Sequence, residues 1–235
     1  MAALNGKVAV VTGGNRGIGR GIAEALAREG VTVALTARDA AVATKAAGEV
    51  GGGARGYALD VRRSEQVASV FAAVDRDLGG VDVLVNNAGV GLFAPVSDMS
   101  LDDWHTVIET NVNGVFYCTR EVIPRMRVRG GGYIFNVSSL AGRNAFPGAA
   151  AYCASKHAVN GFSEVLFQEV REHGIRVTYL MPGSVATEFG RGSVAKSSWA
   201  LQPEDVGEMV VDLLRTHPRA MHSRVEMRPS RPQKS

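Results

Sequence analysis

Short β-branched runs alternate with longer helical patterns along almost the whole chain, and no other feature restricts its fold so tightly. The runs Val8–Val11, Val31–Leu35, Tyr57-Ala58, Val83–Val85, Tyr133–Val137 and Ile175–Leu180, with a last short strand near Val225, are separated by helical periodicity over 17–29, 40–49, 64–78, 101–127, 151–172 and 203–216. Strands joined by crossover helices predict an α/β fold, a doubly wound, mostly parallel seven-stranded sheet with helices on both faces. Near-continuous apolar strands such as Val8–Val11 and Val83–Val85 are what a sheet covered on both sides requires. The 235 residues contain no repeat, low-complexity tract or linker, so one domain over 1–235 is expected. Residues 188–202 lack periodicity between two clear elements and read as a substrate loop, and 228–235 form a basic tail.

Composition narrows the function classes. The chain carries 28 glycines beside a normal 46% of hydrophobic residues, which suggests glycine turns in a folded enzyme rather than disorder. Its net charge of +3 equals that of the end of the chain alone, where Arg224, Arg228, Arg231 and Lys234 face only Glu226. Such local basicity does not point to nucleic acid. Cys118 and Cys153 sit in no CxxC or His-rich context, so neither a metal nor a disulfide framework is expected. The N-terminus lacks a charged region followed by a long apolar one, and no later run approaches about 18 apolar residues. A cytoplasmic protein with no membrane partner is the expectation.

The first strand runs into Thr12-Gly13-Gly14-Asn15-Arg16-Gly17-Ile18-Gly19, where a helical pattern begins. Glycines let the backbone turn tightly and approach a pyrophosphate, and the helix N-terminus attracts its charge, so this is a dinucleotide site on a Rossmann-type sheet. The alternative is a tight strand-to-helix turn that holds nothing. The spacing is G-x-x-x-G-x-G rather than the more general G-x-G-x-x-G. After the second strand, where an acidic residue would select NAD, the chain reads Leu35-Thr36-Ala37-Arg38-Asp39. Arg38, with Arg16 as a second cation, suits a 2′-phosphate and favours NADP(H). Asp39 either binds a ribose or caps the helix that follows.

Tyr152 and Lys156 lie four apart in a helical stretch and so share one face. Asn86-Asn87-Ala88-Gly89 ends the fourth strand, Asn111 falls within the helix after it, and Ser138-Ser139 ends the fifth strand. Ligands of open α/β sheets bind outside the carboxyl ends of the strands, where these residues all fall. Each has a bland reading alone, as a core tyrosine, a solvated lysine or a strand-end serine. Their coincidence favours chemistry. Hydride transfer from a nicotinamide leaves an alkoxide that needs a proton from a group poised near working pH. A free tyrosine has a pKa of about 10. Cations such as Lys156 and the oxidised nicotinamide should lower it.

With Thr-Gly-x-x-x-Gly-Ile-Gly at 12–19, Asp60-Val61, Asn-Asn-Ala-Gly at 86–89, Asn111, Ser139, Tyr-x-x-x-Lys at 152–156 and Pro182-Gly183 with Thr187, the chain resembles the short-chain dehydrogenases/reductases, among them the 3-oxoacyl-reductase-like members. The resemblance covers roughly 6–190, and the last strand, Ser223-Arg-Val-Glu-Met-Arg-Pro-Ser, departs from the glycine-rich form of many members. It implies that Tyr152 is the general acid/base, that Ser139 hydrogen-bonds the substrate oxygen, that Lys156 also binds the nicotinamide ribose, and that Asn111 positions a relay water. It also implies cofactor contacts from Gly13, Asn15, Arg16, Gly17, Ile18, Gly19, Arg38, Asp60, Val61, Asn87, Ala88, Gly89, Tyr152, Lys156, Pro182, Gly183, Val185 and Thr187.

The expected function is thus an NADP(H)-dependent oxidoreductase acting on a small ketone or secondary alcohol, with Leu92, Phe93, Phe146 and Phe189 as apolar walls that suit an uncharged or acyl-type substrate. Arg143 is the one nearby cation for an acidic group such as a carboxylate or a phosphopantetheine, although a lone loop arginine is more often simply solvated. The alternative is a module of the same fold that binds or senses NADP(H) without efficient turnover. An epimerase or lyase would normally carry a larger C-terminal substrate region, and only 53 residues follow Pro182. Ala154, Ala158, Val159, Phe162, Val165, Leu166, Phe167 and Val170 cover more of their helix than a surface helix needs, which predicts a homo-oligomer, and the resemblance implies a homodimer or homotetramer.

Overall fold

Four valines and alanines in a row, with no polar side between them, make β1 (Val8–Val11) a central strand buried on both faces. The structure is a computed structural model, and it describes residues 4–189 and 198–231. On the two sides of β1 lie β2 (Thr32–Ala37), β3 (Arg55–Ala58), β4 (Val83–Asn86), β5 (Gly132–Val137), β6 (Ile175–Pro182) and β7 (Arg224–Met227), in the order β3-β2-β1-β4-β5-β6-β7. Every adjacent pair is parallel. The chain builds outward from β1 to β3, then returns to pair β4 with the other side of β1, so a crevice opens at the carboxyl ends of β1 and β4.

The helices are α1 (Gly17–Arg28), α2 (Ala40–Val50), α3 (Ser64–Leu78), α4 (Leu101–Ile108), α5 (Gly114–Val128), α6 (Ala150–Val170) and α7 (Pro203–Arg215). One core, with Ile22, Leu26, Val206 and Val210, seats α1 and α7 on one sheet face. A second, with Phe71, Val122, Met126 and Leu166, seats α3, α5 and α6 on the other. α1 and α7 meet backbone to backbone, since a Cβ on Gly207 would stand 2.5 Å from the Gly21 carbonyl oxygen.

The single helix expected over 101–127 is instead broken by a π-helical turn, Glu109–Asn113, between α4 and α5. Periodicity carries on through the break, so the sequence gives no sign of it. The cause is side-chain chemistry: Asn111 Oδ1 accepts from Val90 N at 2.8 Å and Asn111 Nδ2 donates to Val90 O at 2.9 Å, which draws this turn against the segment after β4.

The centre of the expected substrate loop, 190–197, and the end of the basic tail, 232–235, lie outside the described residues. The ends of that loop are joined, with Ala186 N donating to Leu201 O at 2.8 Å and Leu201 N to Ser184 O at 3.0 Å. Among the described residues no helix is long and apolar enough to cross a membrane, and no group of His, Cys, Asp and Glu has the makings of a metal site.

Candidate active site

The glycine turn is fixed by Thr12. Its hydroxyl accepts from the backbone N–H groups of Asn87 and Ala88, each at 3.0 Å, and Asn87 Nδ2 returns bonds to Thr12 O at 2.9 Å and Gly13 O at 3.1 Å. Gly13 and Gly17 stand at φ +62° and +54°, left-handed values that suit glycine. A Cβ on Gly19 would lie 2.3 Å from Asn87 Nδ2, and one on Gly14 2.8 Å from Leu35 Cβ. No side chain caps α1 at Arg16, so its first N–H groups remain open to an anion. Asn15 lies in the turn, and Ile18 packs on the core below it. An uncapped helix N-terminus over a cradle that a single Cβ would fill fits a dinucleotide pyrophosphate.

Beyond β2, the two readings of Asp39 separate. Val42 N donates to Asp39 Oδ1 at 2.9 Å, so Asp39 is the cap of α2. Arg38 is exposed beside it and forms no ion pair among the described residues. Asp60 is held by Arg62 through bonds of 2.6–3.0 Å, which keep its carboxyl below its usual pKa with a smaller contribution from Arg38. Val61 fills the space left by the missing side chain of Gly114. Arg16 reaches across the crevice to within 3.7 Å of Glu188, and a Cβ on Gly17 would meet Thr187 Cγ2 at 3.4 Å.

On α6, Tyr152 and Lys156 point to the carboxyl end of β5. Lys156 is 6% exposed, and Lys156 Nζ donates to Val137 O at 2.8 Å and lies 5.7 Å from the Tyr152 ring centroid. Burial pulls its pKa down to about 8. For Tyr152, burial raises the pKa and outweighs the lowering influence of the nearby Ser139 hydroxyl. The dry surroundings come from Phe93 and Phe189, whose ring centroids each stand 5.6 Å from that of Tyr152. Phe146 stacks on Phe93 at 6.3 Å, which brings together three of the four expected apolar walls.

Ser139 caps a short 3₁₀ turn, Leu140–Gly142, by accepting from Ala141 N at 3.1 Å. Asn111 spends its second amide hydrogen on Ser155 Oγ at 3.0 Å, so with Val90 both are used and the side chain has none left to give a water. A Cβ on Gly89 would meet Asn111 Oδ1 at 3.3 Å and Lys156 Nζ at 3.8 Å, so the segment after β4 runs beside both. Pro182 ends β6, Gly183 N bonds to Met227 O at 2.9 Å, and Val185 pairs with Leu201. The expected residues therefore collect at the carboxyl ends of the strands and on the helices that flank them.

With this arrangement in place, the model of the family described as short chain dehydrogenase matches residues 7–197. The chain belongs to that family. It is 42% identical over 190 residues to a D-threitol dehydrogenase of Mycolicibacterium smegmatis, which covers 80% of this chain and 73% of that protein. It is 37% identical over 186 residues to a 3-oxoacyl-[acyl-carrier-protein] reductase of Vibrio cholerae, covering 79% of this chain and 76% of the other. Among solved structures, a metagenomic short-chain oxidoreductase in complex with NADP is 36% identical with a TM-score of 0.86, covering 98% of this chain and 100% of that one. An alcohol dehydrogenase from the archaeon Thermococcus sibiricus complexed with 5-hydroxy-NADP is 31% identical with a TM-score of 0.87, covering 97% and 99%.

Three features of this oxidoreductase lay beyond the sequence motifs. Arg143 does not wait for an acidic substrate: its guanidinium bonds to Glu226 on β7 at 2.7 Å, and Arg228 joins the same carboxylate at 3.3 Å. Nothing in the sequence pairs residues 83 positions apart. Asn86, Thr119, Asn136 and Ser163 form a buried chain of side-chain bonds of 2.8–3.1 Å that ties β4 and β5 to α5 and α6. Asn160, one turn beyond Lys156, bonds to Ser138 and Gly142; its place four residues on from Lys156, and so on the face of Tyr152 and Lys156, was the available signal.

Proposed function

We propose that this short-chain dehydrogenase is an NADP(H)-dependent reductase of a ketone, or oxidant of the matching secondary alcohol, with Tyr152 as general acid/base. The observation that carries the reading is the placement of Tyr152 and Lys156 one turn apart on α6, with Lys156 Nζ 5.7 Å from the Tyr152 ring and Ser139 beside the phenol just after β5. The glycine turn, Asn87, Ala88 and Gly89 would hold the pyrophosphate and nicotinamide halves, Asp60 and Val61 the adenine, and Arg38 with Arg16 the 2′-phosphate. Pro182, Gly183, Val185 and Thr187 border the nicotinamide end. When bound, the cofactor supplies or accepts the hydride.

The chain's own groups handle the oxygen and its proton. In reduction, the Ser139 hydroxyl donates to the substrate carbonyl oxygen, and Tyr152 releases its hydroxyl proton to that oxygen as negative charge grows on it. The Lys156 ammonium, held by Val137 O, stabilises the phenolate left behind. Asn111 takes part in proton return only as an acceptor, because both its amide hydrogens are engaged. In oxidation the proton runs the other way. Phe93, Phe146 and Phe189 line the approach to Tyr152 with apolar surface that favours a neutral or acyl-type ketone, and Arg143 is paired with Glu226 rather than free to select an acid.

The outer face of α6 supports a homo-oligomer, since Val165 is 54% exposed and Phe116 of the adjacent α5 is 46% exposed. The function is tested by following NADPH absorbance with ethyl acetoacetate and a panel of neutral ketones and secondary alcohols. Turnover with some of them is expected, and NADPH binding without turnover on any would favour a sensing module.

A further inference from the structure

The turn that carries Ser139 is held at both ends by one side chain. Ser138 Oγ donates to Asn160 Oδ1 at 2.6 Å, and Asn160 Nδ2 donates to Gly142 O at 2.9 Å. Ser138 is the last residue before Ser139, and Gly142 is the last residue of the turn that Ser139 caps. Asn160 itself sits on α6 at the third of three positions spaced by four, after Tyr152 and Lys156, so the three share a face. Contact is close enough to depend on glycine, because a Cβ on Gly142 would stand 2.6 Å from Asn160 Nδ2 and 2.9 Å from Lys156 O.

We propose that Asn160 is a positioning residue, which clamps the Ser138–Gly142 turn to α6 and so sets where the Ser139 hydroxyl stands against Tyr152 and Lys156. No other side chain bonds to both ends of that turn among the described residues. The alternative partner of Ser138, Lys156 O, lies at 3.3 Å and already serves the helix, so it is a weak substitute. Without Asn160, Gly142 O loses its side-chain partner and the turn is tied to α6 only by packing and the long Ser138–Lys156 O contact. A misplacement of about 1 Å can cost on the order of a hundredfold in rate while cofactor affinity stays intact. The inference rests on the roles given above to Tyr152 and Ser139.

The test uses the full chain as Asn160→Leu, Asn160→Asp and Ser138→Ala, with Tyr152→Phe as reference. Asn160→Leu should lower kcat roughly ten- to a hundredfold with ethyl acetoacetate while the NADPH Kd from fluorescence titration stays within about twofold. Asn160→Asp keeps the acceptor for Ser138 and should recover part of the loss, and Ser138→Ala should resemble Asn160→Leu. A kcat within about twofold of the unmodified protein in Asn160→Leu, or a loss matched by lost NADPH binding, would overturn the proposal. Crystal structures of the unmodified protein and Asn160→Leu answer the question without activity: a Ser139 turn shifted by about 0.5 Å or more supports the clamp, and an unmoved turn refutes it. An unmodified protein as slow as Tyr152→Phe on every ketone would instead defeat the functional reading and leave the structural comparison to decide the role of Asn160.

Discussion

Lys156 gives one ammonium hydrogen to the carbonyl oxygen of Val137 at 2.8 Å, in a site so dry that its pKa falls to about 8. The unfolded chain keeps the ordinary lysine value of 10.5. Between those values the unfolded state binds a proton that the folded state has released, so stability contributed by this group rises with pH through that window. From about pH 8 to about pH 10 the gain is about 2 kcal/mol. Urea midpoints of the cofactor-free protein should therefore rise over that range relative to Lys156→Met, whereas parallel pH profiles would put the ammonium in solvated surroundings.

Cofactor choice follows from Arg38, exposed after β2, and from Asp39, which is committed to capping α2. NADPH should exceed NADH in kcat/KM by at least tenfold, about 1.4 kcal/mol. Arg38→Asp should erase or reverse the preference. Asp39→Ala should cost about 1 kcal/mol of stability without altering it. Equal kcat/KM for both cofactors in the unmodified protein would contradict the assignment.

Gly19 is the most demanding glycine of the turn, since an added Cβ would stand 2.3 Å from Asn87 Nδ2 and 2.5 Å from Gly13 O. Gly19→Ala should displace Asn87 and weaken NADPH binding by tenfold or more, read by fluorescence titration and equal to about 1.4 kcal/mol. Gly48→Ala, in α2 with nothing near its Cβ position, should leave binding unchanged.

Much of this architecture is legible in the residues because it is local. Alternation of apolar runs with helical periodicity defines the seven strands, and the buried Val8–Val11 already implies cover on both faces. The edge strands are where that reading thins: β3 holds only Arg55–Ala58 and has no apolar run to mark its start. The π turn at Glu109–Asn113 stayed hidden because its cause, the pairing of Asn111 with Val90, links residues 21 apart without disturbing periodicity. The site motifs gave Tyr152, Lys156 and Ser139 by spacing and position, but the direction of the Tyr152 pKa depends on Phe93 and Phe189 closing over it, which spacing does not encode. Arg143 illustrates the same limit, since its neutralising partner comes from β7.

The apolar outer face of α5 and α6 yields a test of assembly. Phe116 stands 6.4 Å from Phe162, and Val165 continues the patch along α6. Val165→Glu should convert an oligomer to monomer in light scattering, because a carboxylate buried at such a contact costs several kcal/mol. An unmodified protein that is monomeric at micromolar concentration would refute the expectation.

The most direct test of the account is turnover by Tyr152→Phe, measured beside NADPH binding on the same sample. The substitution removes only the phenol hydroxyl and leaves the ring against Phe93 and Phe189. NADPH affinity and the thermal midpoint should be nearly unchanged while kcat falls by about 10²–10⁴, the range for loss of one general acid/base. Near-full turnover in Tyr152→Phe, with NADPH bound as before, would contradict the assignment of Tyr152 as the proton donor.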